Sequence, residues 1–255
     1  MILTDTHTHL YLDHFDSDRK QVIQNAIDKG IEYMLIPNID SKSIEGMLSI
    51  CDEYPENCFP MMGLHPTDVK EDYQKELEIV DQWLTKRKFI AIGEIGIDLY
   101  WDKTFVKEQD ISLRHQIELA KKYQLPIVLH SRESMKEIFD VLDDVQTPDL
   151  KGVFHCFSGT ANDAKKAIDM GYYLGIGGVI TFKNSNLKKI LREIDLKHIL
   201  LETDAPFLTP TPFRGKRNES AYIYYIAEKI AEIKGIGIDE VAEITTQNAK
   251  NLFKF

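Results

Sequence analysis

Cysteine is scarce in this chain of 255 residues, and the three that occur, at positions 51, 58 and 156, follow no regular spacing. An odd, unpatterned set of cysteines argues against a disulfide framework and is typical of reduced thiols in a cytoplasmic protein. Polar Thr4 and Asp5 also interrupt the apolar start of the chain, so no signal peptide is expected. We therefore expect a cytoplasmic location.

Long hydrophobic runs are also missing. The longest apolar-leaning stretch covers residues 172–182 and contains three glycines, which makes it too short and too irregular to span a bilayer. No low-complexity tract, linker or block of like charge divides the chain. We therefore expect one domain over residues 1–255, no membrane partner and no obligatory protein partner.

Positive charge is in deficit, because the formal net charge is −10. This deficit excludes a protein that coats duplex DNA through a broad basic face. It does not exclude an enzyme that acts on nucleic acid, because bound divalent ions can dominate the charge of a small cleft. The apolar share of 43% and the charged share of 28% are typical of a globular protein.

The chain alternates between short apolar runs and longer charged, amphipathic segments. Eight such units follow one another, with strand-like runs over residues 2–6, 33–36, 59–63, 89–94, 127–130, 153–155, 172–176 and 199–203. Each unit has the size of a strand, a short loop and a helix. The pattern predicts a single (β/α)8 TIM barrel, with an extra C-terminal helix over residues 239–253 closing one end.

Chemically active residues of such barrels stand at the C-terminal ends of the strands. Five of the eight histidines follow strand-like runs, together with two acidic residues. These residues are His7, His9, His65, His130, His155, Glu94 and Asp204. Imidazole and carboxylate are donors for Zn²⁺, Mn²⁺ and similar ions, and carboxylate also suits Mg²⁺. The sequence therefore predicts a site for two divalent metal ions, whose identity it leaves open.

The order of the strands suggests how the ligands divide. Glu94 has a carboxylate that can bridge two ions about 3.5–4 Å apart. Asp204, on the last strand, should share one ion with His7 and His9 once the barrel closes. His130 and His155, from neighbouring strands, should hold the other ion. Glu94 and Asp204 are the predicted catalytic residues, with Asp204 placed to take a proton from a water molecule.

The motifs in these positions resemble those of the TatD-like metal-dependent deoxyribonucleases of the amidohydrolase superfamily. They are Asp-Thr-His-Thr-His (5–9), Gly-Leu-His-Pro (63–66), Gly-Glu-Ile-Gly-Ile-Asp (93–98), Leu-His-Ser-Arg (129–132), His-Cys-Phe-Ser-Gly (155–159), Glu-Thr-Asp-Ala-Pro (202–206) and Arg-Gly-Lys-Arg-Asn (214–218). The resemblance covers nearly the whole chain. It implies a TIM barrel, a two-metal site and hydrolysis of DNA phosphodiesters from a 3′ end, and it supports the ligand roles above.

Other residues near the strand ends have two readings each. His65 is either a turn residue or a donor to a substrate phosphate, and Arg132 is either a surface residue or a phosphate clamp. Glu202 and Asp98 either orient a metal ligand from behind or form hydrogen bonds within the barrel. We name His65 and Arg132 as substrate-binding candidates and Glu202 and Asp98 as supports for the ligands.

Further positions carry weaker hypotheses. Arg214, Lys216 and Arg217 form a basic cluster that reads either as a solvated helix start or as a surface for the DNA backbone. Phe157 or Phe207 is a candidate for stacking on a base. The remaining histidines, His14, His115 and His198, and the thiol of Cys156 are expected to have structural roles only.

The leading hypothesis is a metal-dependent deoxyribonuclease acting on single-stranded or frayed DNA ends by a two-metal mechanism. A second hypothesis keeps the site and changes the substrate to an amide, a cyclic amide or a lactone. Against it, Glu94 occupies the place of the modified lysine that many such hydrolases use. A third hypothesis, a metal-binding scaffold, is disfavoured by the complete ligand set with an evident base.

Overall fold

Eight parallel strands alternate with helices in the computed structural model, which describes all residues from 1 to 255. The strands are β1 Leu3–Asp5, β2 Ile31–Pro37, β3 Cys58–Met61, β4 Ile92–Asp98, β5 Ile127–Arg132, β6 Gly152–Phe154, β7 Tyr172–Ile176 and β8 Ile199–Leu201. The helices are α1 Arg19–Asp28, α2 Ile44–Glu53, α3 Tyr73–Lys86, α4 Val106–Tyr123, α5 Met135–Val145, α6 Ala161–Asp169, α7 Leu187–Glu193, α8 Ile223–Lys234 and α9 Ile238–Phe253. The predicted (β/α)8 barrel with an extra C-terminal helix is confirmed.

The strands pair in sequence order, in one run from β1 to β3 and a second from β4 to β8. Backbone hydrogen bonds at two places join these two groups of strands into a closed barrel. Met62 N–H donates to the carbonyl of Ala91 at 3.1 Å, and Thr6 N–H donates to the carbonyl of Leu201 at 3.0 Å. Closure brings the end of β1 beside the end of β8, as the sequence analysis expected.

Two apolar layers follow from the alternation of side chains along each strand. Residues such as Met34, Ile36 and Leu129 face the surrounding helices and belong to the larger core. Residues such as Leu35 and Val128 face the interior and form a second, smaller cluster. Helix α9 completes that inner cluster with Ala249, Leu252 and Phe253, so it closes the N-terminal end of the barrel.

Two predicted boundaries differ from the structure. The fourth strand was expected over 89–94 but spans Ile92–Asp98, because Ile95 and Ile97 continue the pairing with β5. Glu94 therefore lies within β4 and not at its end. The basic cluster that includes Arg217 was read as a possible helix start, but α8 begins only at Ile223. Residue Asn218 belongs to a loop instead, where its side-chain amide donates to the carbonyls of Thr203 and Phe207.

None of the helices is both long enough and apolar enough to cross a membrane.

Candidate metal centre

Strand alternation places the polar residues directly above the inner apolar cluster. Along β5, Val128 belongs to that cluster, and His130 follows two residues later on the same face. Leu200 and Glu202 repeat this arrangement at the end of β8. The inner face of each of these strands thus changes from apolar to ligating within two residues, which fixes the depth of the site.

Glu94 lies at the centre of the site and is only 2% exposed. Its two carboxylate oxygens approach ring nitrogens of five imidazoles. The distances are 3.0 Å to His7, 3.7 Å to His9, 3.4 Å to His65, 2.8 Å to His130 and 3.8 Å to His155. Burial opposes ionisation of this carboxyl group, but the surrounding imidazoles hold its pKa well below the usual range.

One side of the site gathers the ligands of β1, β6 and β8. The rings of His7 and His155 stack with their centroids 3.4 Å apart, and the Nε2 atoms of His7 and His9 lie 3.2 Å apart. Asp204 Oδ1 is 3.5 Å from His9 Nε2 and 3.8 Å from His155 Nε2. Asp204 therefore lies beside the histidine pair of the first strand, as predicted.

The other side of the site gathers His65 and His130 around the second oxygen of Glu94. His65 Nε2 is 3.3 Å from His130 Nδ1, and both nitrogens approach Glu94 Oε1. Asp98 Oδ2 lies 2.9 Å from His130 Nε2 and holds that ring from behind.

This geometry agrees in part with the division expected from strand order. The sequence analysis grouped His155 with His130, and His155 Nε2 does lie 3.8 Å from Glu94 Oε1, the oxygen that His130 approaches. His155 also stacks on His7 and lies 3.8 Å from Asp204 Oδ1, so it stands between the two sides of the site. His65, expected as a substrate donor, also lies in a possible ligand group with Glu94 and His130. Interior side chains reach across the barrel axis, so neighbouring strands need not supply neighbouring ligands. Glu94 belongs to groups on both sides, which fits a bridging position.

The donor set fits divalent metal ions on the evidence of its own charges. Four carboxylates, those of Glu94, Asp98, Glu202 and Asp204, have imidazoles as their only charged partners and form no ion pair with lysine or arginine. Positive charge must therefore come from protonated imidazoles or from bound cations. Glu94, His7 and His9 form one group whose ligand atoms lie within 4.8 Å of one another, and a group of His7, His155 and Asp204 overlaps it.

The pKa values of the two stacked imidazoles are shifted in opposite directions. Burial disfavours the charged form of both stacked rings. At His7, burial and the neighbouring His155 lower the pKa to about 4. At His155 the carboxylates of Glu202, Glu94 and Asp204 outweigh burial and raise the pKa to about 10. A cation among these carboxylates would take over the charge that the His155 proton supplies without metal.

Glu202 supports the site from within the barrel. Its Oε1 atom lies 3.0 Å from His155 Nδ1 and accepts the backbone N–H of Cys156 at 2.6 Å. Gly175 on β7 makes room for this carboxylate, because a Cβ atom there would stand 2.3 Å from Glu202 Oε2. The positions of Glu202 and Asp98 behind His155 and His130 agree with the orienting reading of both residues.

Two supports escaped the sequence analysis. Tyr11 Oη lies 2.9 Å from His9 Nδ1 and donates to the carbonyl of Pro37 at 2.9 Å. Asp5 accepts both the hydroxyl and the backbone N–H of Thr203, which ties the end of β1 to the loop that carries Asp204. Asp5 ends β1 and precedes His7 by two residues, so strand periodicity was the available signal for Asp5, whereas Tyr11 lies in a turn beyond the strand and carried no such signal.

The weaker hypotheses have mixed outcomes. Phe157 is 2% exposed and cannot stack on a base from solvent, whereas Phe207 is 45% exposed. Arg217 pairs with Asp18 and Glu219, which weakens the hypothesis of a basic DNA surface. Arg132 is exposed and forms no contact with the metal-binding candidates, and its guanidinium lies over the ring of Tyr100.

Comparisons with known proteins agree with this fold and donor set. The family described as TatD related DNase matches residues 4–254. YabD of Bacillus subtilis, described as an uncharacterized metal-dependent hydrolase, is 39% identical over 254 residues, which cover 99% of each chain. The crystal structure of YjjV, a TatD homologue from Escherichia coli, superposes with a TM-score of 0.93 at 30% identity and covers 99% of this chain and 98% of that one.

More distant structures share the fold alone. A phosphotriesterase homology protein from Escherichia coli, described as holding phosphate in its active site, superposes with a TM-score of 0.73 at 16% identity, over 98% of each chain. Barrel, site and close relatives together define a metal-dependent hydrolase. Within that class, the chain belongs to the TatD family.

Proposed function

We propose that this hydrolase is a deoxyribonuclease that removes nucleotides from the 3′ end of single-stranded or frayed DNA, with two divalent metal ions at the site described above. The observation that carries the proposal is the position of Glu94, whose Oε2 approaches His7 and His9 while its Oε1 approaches His65, His130 and His155. A single carboxylate shared between two groups is the arrangement that a two-metal centre requires. The choice of DNA and the 3′ direction follow from the family resemblance.

The proposed roles follow the two groups. His7, His9, His155 and Asp204 would hold one ion, His65 and His130 the other, and Glu94 would bridge them. Bound ions of this kind neutralise phosphate oxygens and lower the pKa of water. Burial opposes ionisation of Asp204, but contacts to His9 and other imidazoles lower its pKa, so its carboxylate is available to accept a proton at Oδ1.

The test uses metal-stripped protein resupplied with Mg²⁺, Mn²⁺ or Zn²⁺. The substrates are single-stranded DNA labelled at its 3′ end and a panel of amides and lactones. We expect release of labelled mononucleotides that stops with chelator and with Glu94→Ala, whereas Glu118→Ala, an exposed carboxylate on α4, has no effect. Elemental analysis should find two ions per chain. Turnover of the amide or lactone panel alone would show that the substrate assignment is wrong, and no turnover of either would favour the scaffold hypothesis.

A further inference from the structure

An exposed aromatic pair follows β4 on the face of the barrel that carries the site. Tyr100 is 48% exposed and Trp101 is 67% exposed, which makes Trp101 the most exposed large apolar side chain of the protein. Packing of the core does not account for an indole ring in solvent beside a catalytic centre. Exposed aromatic groups at such places mark sites that bind ligands or partners.

The loop that carries this pair is held in place by hydrogen bonds. Asp98 Oδ1 accepts the backbone N–H groups of both Tyr100 and Trp101, each at 2.9 Å. Leu99 N–H donates to the carbonyl of Arg132 at 2.9 Å. These hydrogen bonds hold the backbone of the loop, and the two rings lie 4.8 Å apart between centroids and nearly perpendicular at 87°.

Arg132 adds positive charge to the same surface. Its guanidinium carbon lies 4.0 Å from the centroid of Tyr100 and 5.4 Å from that of Trp101. Arg132 is exposed and forms no ion pair with a carboxylate, unlike Arg217, which is paired with Asp18. Stacking on the aromatic rings orients the guanidinium and leaves its N–H groups available to a ligand.

The surface formed by Tyr100, Trp101 and Arg132 is directly connected to the ligand cluster. Asp98 supplies that connection, because its second oxygen, Oδ2, lies 2.9 Å from Nε2 of His130. The aromatic surface and the ligand cluster thus lie on either side of one carboxylate, which puts this surface beside a substrate bound at the metal centre. The part that suits this surface is a flat ring with a negatively charged group beside it.

We propose that Tyr100, Trp101 and Arg132 form a subsite that binds one nucleotide of single-stranded DNA, with the base stacked on Trp101 and the adjoining phosphate bound by Arg132. The inference rests on the proposed function and names the residues that hold the strand next to the cleavage point. Every base offers a π-face, so stacking gives binding without sequence preference. A guanidinium binds phosphate through two parallel hydrogen bonds.

The protein has two tryptophans, Trp83 and Trp101, which allows a direct test. Trp83 lies on α3, so Trp83→Phe leaves Trp101 as the only indole, and Trp101→Phe leaves Trp83 as the matched control. Oligothymidylate of eight residues is titrated into metal-free protein while tryptophan fluorescence is recorded. We expect quenching in the Trp83→Phe protein, little change in the Trp101→Phe protein, and no quenching by an abasic sugar-phosphate oligomer of equal length.

A kinetic measurement complements the fluorescence. With metal present, Trp101→Ala should raise KM for oligothymidylate roughly tenfold at nearly constant kcat, since stacking contributes to binding. Trp101→Phe should recover most of the loss, and Arg132→Ala should also raise KM. Unchanged KM in Trp101→Ala, or equal quenching of both indoles, overturns the subsite while hydrolysis by the unmodified protein stands. Absence of DNA hydrolysis by the unmodified protein overturns the proposed function, whatever the fluorescence shows.

Discussion

At the scale of single residues, Tyr11 determines which nitrogen of His9 faces the site. The carbonyl of Pro37 can only accept a hydrogen bond, so the hydroxyl proton of Tyr11 is directed to it. The same hydroxyl oxygen must then accept from His9 Nδ1, which carries the ring proton. The lone pair of His9 is thereby placed on Nε2, the atom nearest to Glu94 and Asp204.

Removing that hydroxyl should weaken metal binding. We expect Tyr11→Phe to lower the affinity for Mn²⁺ or Zn²⁺ about 10- to 100-fold, because His9 loses the group that fixes its tautomer and orientation. Competition with a chromophoric chelator measures the affinity without any substrate. Tyr54→Phe, which removes a hydroxyl at the end of α2, is the control and should bind metal normally. Equal affinities in both variants would contradict the role given to Tyr11.

The residue types of the site were predictable, but their grouping was not. His7, Glu94 and Asp204 could be named because imidazole and carboxylate donors recur near the ends of apolar runs. The contact of His155 with His7 could not be named, because strand order says which backbones are adjacent and nothing about how side chains meet across the barrel axis. Sequence reasoning also gives no rotamers, so the approach of His65 to Glu94 and His130 could not be named in advance.

At the scale of elements, β7 and β8 are fitted to each other through Gly175 and Glu202. A side chain at position 175 would occupy the space of the Glu202 carboxylate, which contacts His155 and Cys156. The glycine is therefore required by the close approach of a neighbouring strand and not by its own backbone conformation.

Filling that space should destabilise the protein. We expect Gly175→Ala to lower the free energy of unfolding by about 1–3 kcal/mol, because the new methyl group displaces a buried carboxylate. Urea unfolding followed by circular dichroism measures the change. Gly237→Ala is the matched control, since that residue has a φ of −72° and no atom within 4 Å of an added Cβ. A loss of stability as small as that of the control would mean that Glu202 moves aside freely.

Element boundaries were predicted less well than element types. The recurring apolar runs identified all eight strands. Each strand is apolar along its length because one face packs against the helices and the other against the interior of the barrel. The end of β4 was placed too early because the apolar run was read as ending at Glu94, whereas backbone pairing of Ile95 and Ile97 with β5 extends the strand. Long-range pairing decided the boundary, and no local sequence signal reports such pairing.

At the scale of the whole molecule, helix α9 closes the end of the barrel opposite the site. Phe253 is 3% exposed and packs in the cluster formed by inward-facing residues of the strands. The sequence predicted an additional terminal helix, and its contacts explain why it is needed: without it the inner cluster would open to solvent.

Removing the Phe253 side chain should therefore lower the stability of the fold and leave the metal site unchanged. We expect Phe253→Ala to lower the free energy of unfolding by about 3–5 kcal/mol, the usual cost of removing a buried aromatic ring. The folded fraction should keep the metal affinity of the unmodified protein. Glu243→Ala, at an exposed position on α9, provides the control. Chemical unfolding gives the first quantity and chelator competition the second, and a change of less than 1 kcal/mol would contradict the closing role of α9.

A second long-range contact joins the segment after the last strand to the segment after the first. Arg217, after β8, donates through two nitrogens to the carboxylate of Asp18 at 2.8 and 2.7 Å, just before α1. A double-mutant cycle with Asp18→Asn and Arg217→Gln should give a coupling of about 0.5–1 kcal/mol at pH 7, as both groups are partly exposed. The pair lowers the pKa of Asp18 below 3.8, so the coupling should be present above about pH 4 and lost as the pH falls further. An unchanged coupling in acid would contradict this assignment.

The two oxygens of Asp98 have a consequence for how the enzyme can be altered. One oxygen holds the amides of Tyr100 and Trp101, and the other holds His130. Order in the aromatic loop and occupancy of the ligand cluster are thus thermodynamically linked, and each must favour the other to the same extent. Metal binding should slow hydrogen exchange at the amides of residues 100 and 101. Substitution of Asp98 would loosen both at once, so substrate preference and metal retention cannot be tuned separately through this residue.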